Sequence, residues 1–131
     1  MKTTGLYPSV RVDAAGSGVV SQAGGLLLTE AVRASGLVAE LSRVLAPWRK
    51  PLARHDPAKI VANLAIMLGL GGDCLADVAV LRGEPGVFGL VASDPTVSRT
   101  VAAYGLSIPW QDRTPGQCVV FRSDAVRRVH R

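Results

Sequence analysis

Two helix starts in close succession limit how the second half of this chain can fold. A pair of glycines precedes Asp73, and Asp94 is followed directly by Pro95. An aspartate accepts a hydrogen bond from the first free N–H groups of a helix, and proline at the first helical position loses no hydrogen bond. The pattern therefore predicts one helix over residues 73–82 and another over residues 94–104, each with an Asp as its N-cap.

The second of these helices carries small polar side chains and an arginine near its start. They are Thr96, Ser98 and Arg99. Such an arrangement is typical of the recognition helix of a helix-turn-helix, whose N-terminal residues meet the DNA. It is equally typical of a capped amphipathic helix that packs Val97 and Val101 into a bundle. The residues alone leave both interpretations open.

Earlier in the chain, apolar residues at helical spacing predict helices over residues 22–34, 37–45 and 57–68. The strongest begins at Asp56-Pro57, and five apolar residues are expected to form its buried face: Ile60, Val61, Leu64, Ala65 and Leu68. Residues 10–20 are expected to form a short β-hairpin. The predicted fold class is mainly α, a small bundle of about five helices with this hairpin, a helix-turn-helix-like C-terminal pair and an irregular tail.

Charge and composition change near residue 105. Residues 1–105 carry ten Lys and Arg against eight Asp and Glu, whereas residues 106–131 carry five Arg against two Asp. The second segment also lacks capping residues and apolar periodicity. We expect a folded domain over 1–105 and an irregular basic tail over 106–131. The tail is interpreted as a non-native reading frame or truncation scar, the alternative being a polyanion-binding arm.

Residues 55–99, HDPAKIVANLAIMLGLGGDCLADVAVLRGEPGVFGLVASDPTVSR, closely resemble the N-terminal region of DDE transposases from bacterial insertion sequences, whose catalytic domain is RNase H-like. Residues 10–37 are similar to the opening of the same proteins. The resemblance implies a role in DNA transposition, with insertion-sequence ends as the DNA partner. It also implies that the three catalytic carboxylates lie downstream, so no catalytic residue is carried over. Divalent metal such as Mg²⁺ is expected only in that missing domain, and this chain is expected to be inactive alone.

The DNA-contact candidates are the three polar residues of the last helix and four basic residues before it: Thr96, Ser98, Arg99, Arg49, Lys50, Arg54 and Lys59. A net charge of +5 favours a polyanion but does not by itself specify DNA. Two other functions stay open. The chain could act as a stand-alone helix-turn-helix regulator, or as an inactive interaction fragment that self-associates or packs on the catalytic domain.

Other kinds of site have little support in the sequence. Asp73 and Asp77 are one helical turn apart, but a cap and a surface acid explain them without a metal. The two cysteines lie in no paired spacing, which is typical of a reduced chain. No signal peptide or membrane span is expected, so we predict a cytoplasmic location and no membrane partner.

Overall fold

The structure is a computed structural model that describes residues 7–11 and 23–104. Within them it has six α-helices and two single 3₁₀ turns. The helices are α1 (Ala23–Ala34), α2 (Leu37–Val44), α3 (Pro57–Gly69), α4 (Val78–Arg82), α5 (Pro85–Phe88) and α6 (Asp94–Ala103). The 3₁₀ turns are Ala46–Trp48, which follows α2, and Leu75–Asp77, which leads into α4.

The mainly α class is confirmed, and the predicted helices are present within one or two residues of their expected ends. The helix predicted over 73–82 is divided into the 3₁₀ turn and α4. The predicted β-hairpin falls on residues 10–20, of which only 10 and 11 are described, and these two are not in a strand. The rest of the hairpin and the whole tail over 106–131 lie outside the described residues.

Helix α3 occupies the centre and packs against α1, α2, α4 and α6. Its predicted buried face is wrong except at Ile60 and, in part, at Leu64, which packs against the core. Ala65 and Leu68 are exposed, and Val61 and Leu64 are half-buried. The helix instead buries the side that carries Lys59, Ala62, Asn63, Ile66 and Met67. Because Lys59 and Asn63 are polar, the true core face does not stand out as apolar in the sequence, and the apolar pattern pointed to the other side of the helix.

Both predicted N-caps, Asp73 and Asp94, are also wrong. Asp56 caps α3, since its carboxylate accepts from the Ala58 N–H at 2.8 Å. The N-cap before the 3₁₀ turn is Cys74 and not Asp73, and the N-cap of α6 is Ser93 and not Asp94. In each case the N-cap is the residue next to the predicted aspartate. The Asp94 carboxylate, which does not cap α6, forms an ion pair with Arg82 instead.

Helix α1 approaches α5 closely at Gly25. A Cβ atom at this position would lie 2.5 Å from Cζ of Phe88, whose side chain is fully buried. At the neighbouring Gly24 the nearest atom would be 4.0 Å away. Phe88 therefore packs against the backbone of α1, which only a glycine permits.

This contact predicts opposite effects for two adjacent substitutions. Gly25→Ala is expected to lower the free energy of unfolding by about 1–3 kcal/mol because the methyl group overpacks against Phe88. Gly24→Ala, the matched control, is expected to be neutral or stabilising by up to ~1 kcal/mol, since alanine favours the helix. Urea unfolding followed by circular dichroism measures both. Equal stability of the two variants would show that α1 does not pack on Phe88 in solution.

Candidate nucleic-acid interface

The outer face of α6 carries the predicted polar residues. Val97 and Val101 are buried and fasten the helix to the core, while Arg99 is exposed and Thr96 and Ser98 are half-buried. The Arg99 guanidinium turns back along its own helix. Its Nε donates to the Pro95 carbonyl at 3.1 Å, and its Nη2 lies 3.4 Å from Thr96 Oγ1. Thr96 and Arg99 thus form one polar patch at the start of α6.

The basic connector, residues 49–54, lies near the other end of α6. Trp48, just before it, makes an edge-to-face contact with Tyr104, with ring centroids 5.8 Å apart. Tyr104 is five residues after Arg99, about 7.5 Å along a helix. The structure therefore places the start of the connector beside the C-terminal end of α6, and Arg49, Lys50 and Arg54 have exposed side chains.

The connector is only partly neutralised within the described residues. Arg49 Nη1 lies 3.3 Å from Asp56 Oδ2, and the same carboxylate group caps α3. No ion pair within the described part of the chain involves Lys50 or Arg54. Burial lowers the pKa of His55, and the positive charges of Arg54 and Lys59 lower it further. The connector thus presents two uncompensated cations to solvent.

Lys59 does not belong to this surface, which corrects its assignment as a DNA contact. Its side chain is only 4% exposed. The ammonium donates to the Phe88 carbonyl and lies 3.3 Å from the centroid of the Tyr7 ring. Burial lowers the pKa of Lys59 to about 7. A cation enclosed in this way cannot reach a phosphate.

Sequence reasoning missed the residue that positions α6. Arg82, at the end of α4, donates to Asp94 Oδ1 at 2.8 Å and to the Ala92 carbonyl at 3.1 Å. Asp94 opens α6, so this arginine ties the first turn of the candidate interface to α4. The spacing of twelve residues between the two charges has no helical or strand periodicity that could have revealed the pair.

Asp73, Cys74 and Asp77 form one compact group, with potential ligand atoms within 4.8 Å of one another. Asp77 Oδ2 already accepts hydrogen bonds from the backbone N–H groups of Asp73, at 2.9 Å, and of Cys74, at 3.0 Å. These hydrogen bonds lower the pKa of Asp77. Cys74 is disulfide-bonded rather than a free thiol, contrary to the expectation of reduced cysteines. The group therefore builds a helix start, and beside it lies an open pocket of about 370 Å³.

None of the helices in the described ranges is both long enough and apolar enough to cross a bilayer.

A comparison with protein families finds one matching family. The model of the family described as "Transposase DDE domain group 1" matches residues 2–124. The chain belongs to this transposase family. No curated protein and no solved structure matches it significantly.

DDE transposases use divalent metal, and the acidic group at Asp73 does not fit that requirement. Mg²⁺ takes oxygen ligands in near-octahedral geometry, and two-metal catalysis needs several convergent carboxylates. Here the group consists of two carboxylates and a disulfide-bonded sulfur, and the Asp77 carboxylate already accepts hydrogen bonds from two backbone N–H groups. We derive no transposase chemistry from this group.

The buried lysine predicts an unusual pH dependence of stability. Between pH 7.5 and 9.5 the unfolded chain keeps a proton on Lys59, whose ordinary pKa is 10.5, while the folded chain has largely released it. Raising the pH therefore favours the folded state, by at most ~1.4 kcal/mol per pH unit. His55 titrates below this window. Tyr7, whose pKa is raised by burial, opposes folding only above its ordinary value of 10.0.

Chemical denaturation across this pH range tests the effect in three proteins. The native chain should become more stable as the pH rises, and Lys59→Met should lose that slope. Lys50→Met replaces an exposed lysine and should keep it. A slope that is the same in all three proteins would mean that Lys59 is not buried as a titrating group.

Proposed function

We propose that the chain acts in DNA transposition through DNA binding, with α6 and the basic connector contacting the terminal DNA of an insertion sequence. The observation that carries the proposal is the position of the Thr96–Arg99 patch on the helix that Trp48 joins to the connector. A short helix with polar residues at its start suits a DNA groove, and flanking cations suit phosphates. Because the chain belongs to a transposase family, we take DNA as the polyanion that these cations bind.

We also propose that this helix works as the second helix of a helix-turn-helix-like pair, with α4 as the first. Arg82 and Asp94 link the two helices, which supports a fixed angle between them. The connection over residues 83–93 contains α5 and is longer than the three or four residues usual in that motif. We propose residues 1–105 as the DNA-binding domain, while the family match itself extends through residue 124.

Binding rather than cleavage is the activity that we assign to this chain by itself. Within the described residues, the acidic side chains form one potential metal-binding group, and that group does not fit a two-metal centre. We therefore assign no catalytic or metal-binding residue among the described residues. We also propose a cytoplasmic location, where the chain would meet chromosomal DNA.

An interaction fragment is the second candidate, because several large apolar side chains are exposed. They are Leu27, Leu37, Val44, Trp48, Leu52, Leu68, Val80 and Leu90. Such side chains suit packing on a catalytic domain or self-association. Analytical ultracentrifugation separates the cases: a discrete dimer favours a regulator that reads two half-sites, and a concentration-dependent series of larger species favours the fragment.

Arg99→Ala tests the DNA-binding proposal. Arg99 is exposed and its hydrogen bonds stay within α6, so the variant should fold normally. Its affinity for duplex DNA should fall about three- to tenfold, and the slope of log K against log salt should become shallower by about 1. Fluorescence anisotropy at several salt concentrations gives both quantities.

Arg33→Ala is the matched control, since Arg33 is an exposed arginine paired within α1 to Glu30 at 2.6 Å. It should leave the affinity and the salt slope unchanged. If the Arg33 and Arg99 variants bind DNA equally well, α6 does not take part in the interface.

A further inference from the structure

A strained, fully exposed leucine lies in the middle of the basic connector. Residues 50–53 form a turn in which the Ala53 N–H donates to the Lys50 carbonyl at 3.1 Å, with Pro51 second and Leu52 third. Leu52 has a φ of 62° and is the only non-glycine residue with positive φ among the described residues. Its side chain is completely exposed.

Leucine is a poor choice for this position on grounds of stability. The third position of a type II turn requires positive φ, which glycine and asparagine adopt far more easily than a residue with a branched side chain. Burial does not compensate here, because the side chain contacts solvent on all sides. Backbone strain of this kind is concentrated at functional positions. Leu52 thus combines a positive φ with complete exposure, which makes it a candidate for a contact outside the folded chain.

The surroundings of Leu52 indicate what it meets. Lys50 and Arg54 lie two residues on either side of it, and Arg49 lies one residue further. The sequence has no acidic residue from 41 to 55. Among the exposed apolar side chains that would suit a protein contact, Leu52 differs in lying in a turn with cations on both sides. Proteins that kink DNA use that combination, inserting an apolar wedge between base pairs while Lys and Arg hold the phosphates.

We propose that Leu52 is a wedge that enters the base stack of duplex DNA, with Lys50 and Arg54 binding the phosphates on either side. Pro51 restricts the turn, so that the side chain is already extended before DNA arrives. The contact would unstack and bend the DNA near the place where α6 binds. This inference rests on the proposed DNA-binding function and adds to it a distortion of the substrate.

Leu52→Asn is the decisive variant because asparagine tolerates positive φ, so the fold should be retained or slightly stabilised. Leu27→Gln is the control, since Leu27 is also a strongly exposed leucine but lies on α1. The probes are two 20-base-pair duplexes that are identical except for one central mismatch, each with 2-aminopurine beside that position. Binding is measured by anisotropy, and unstacking by the 2-aminopurine fluorescence.

A wedge should prefer the mismatched duplex because its bases are already easier to unstack. We expect the native chain and Leu27→Gln to bind it about fivefold more tightly than the matched duplex. We also expect both proteins to raise the 2-aminopurine fluorescence. Leu52→Asn should lose the preference and the fluorescence increase, while its affinity for matched DNA changes less than about threefold because the phosphate contacts remain.

The outcomes separate the two proposals. If the native chain binds neither duplex, the DNA-binding function itself fails, and the wedge fails with it. If it binds both duplexes equally, or if Leu52→Asn keeps the native preference, the wedge is overturned while DNA binding stands. If Leu52→Asn alters only self-association, Leu52 contacts protein, and the wedge is again overturned.

Discussion

The ammonium of Lys59 joins three parts of the molecule that are distant in sequence. It projects from α3, lies over the ring of Tyr7 in the N-terminal segment and donates to the carbonyl of Phe88 at the end of α5. A buried charge without such partners would cost far more than a core can offset. Asn63, one turn further along α3, accepts from the Tyr7 hydroxyl at 2.9 Å and makes the arrangement more specific. The contacts of Tyr7 with Lys59 and Asn63 thus fix the position of the N-terminal segment.

Apolar packing and one ion pair connect the residues around Lys59 to the candidate interface on α6. Phe88 fills the space that Gly25 leaves on α1, and Val97 and Val101 fasten α6 to the core. Arg82 then fixes the first turn of α6 through Asp94. The polar patch at Thr96 and Arg99 is therefore supported by α4 rather than by its own helix alone. An interface built on such support keeps its geometry when it binds.

Sequence periodicity and breakers were enough to locate the helices, since proline, glycine and capping residues act locally. They were not enough to orient α3, because Lys59 and Asn63 are of residue types usually found at the surface. Only their contacts with Tyr7, which the sequence does not reveal, explain why both are buried. The same limit applies to the site. Arg99 and the connector could be named from residue type and position, but Lys59 was included wrongly, and Leu52 was missed because no local signal predicts a positive φ at leucine. Arg82 was missed because its partner is a tertiary neighbour.

The Tyr7 contact also has a consequence for synthesis on the ribosome. Tyr7 leaves the exit tunnel early, yet the partners that hold it are Lys59 and Asn63, and the carbonyl that completes the group belongs to Phe88. Closing so long a loop carries an entropic cost that is repaid only when the distant contacts exist. The segment that carries Tyr7 therefore cannot dock until Lys59 and Asn63 have been translated, so its docking follows the synthesis of α3.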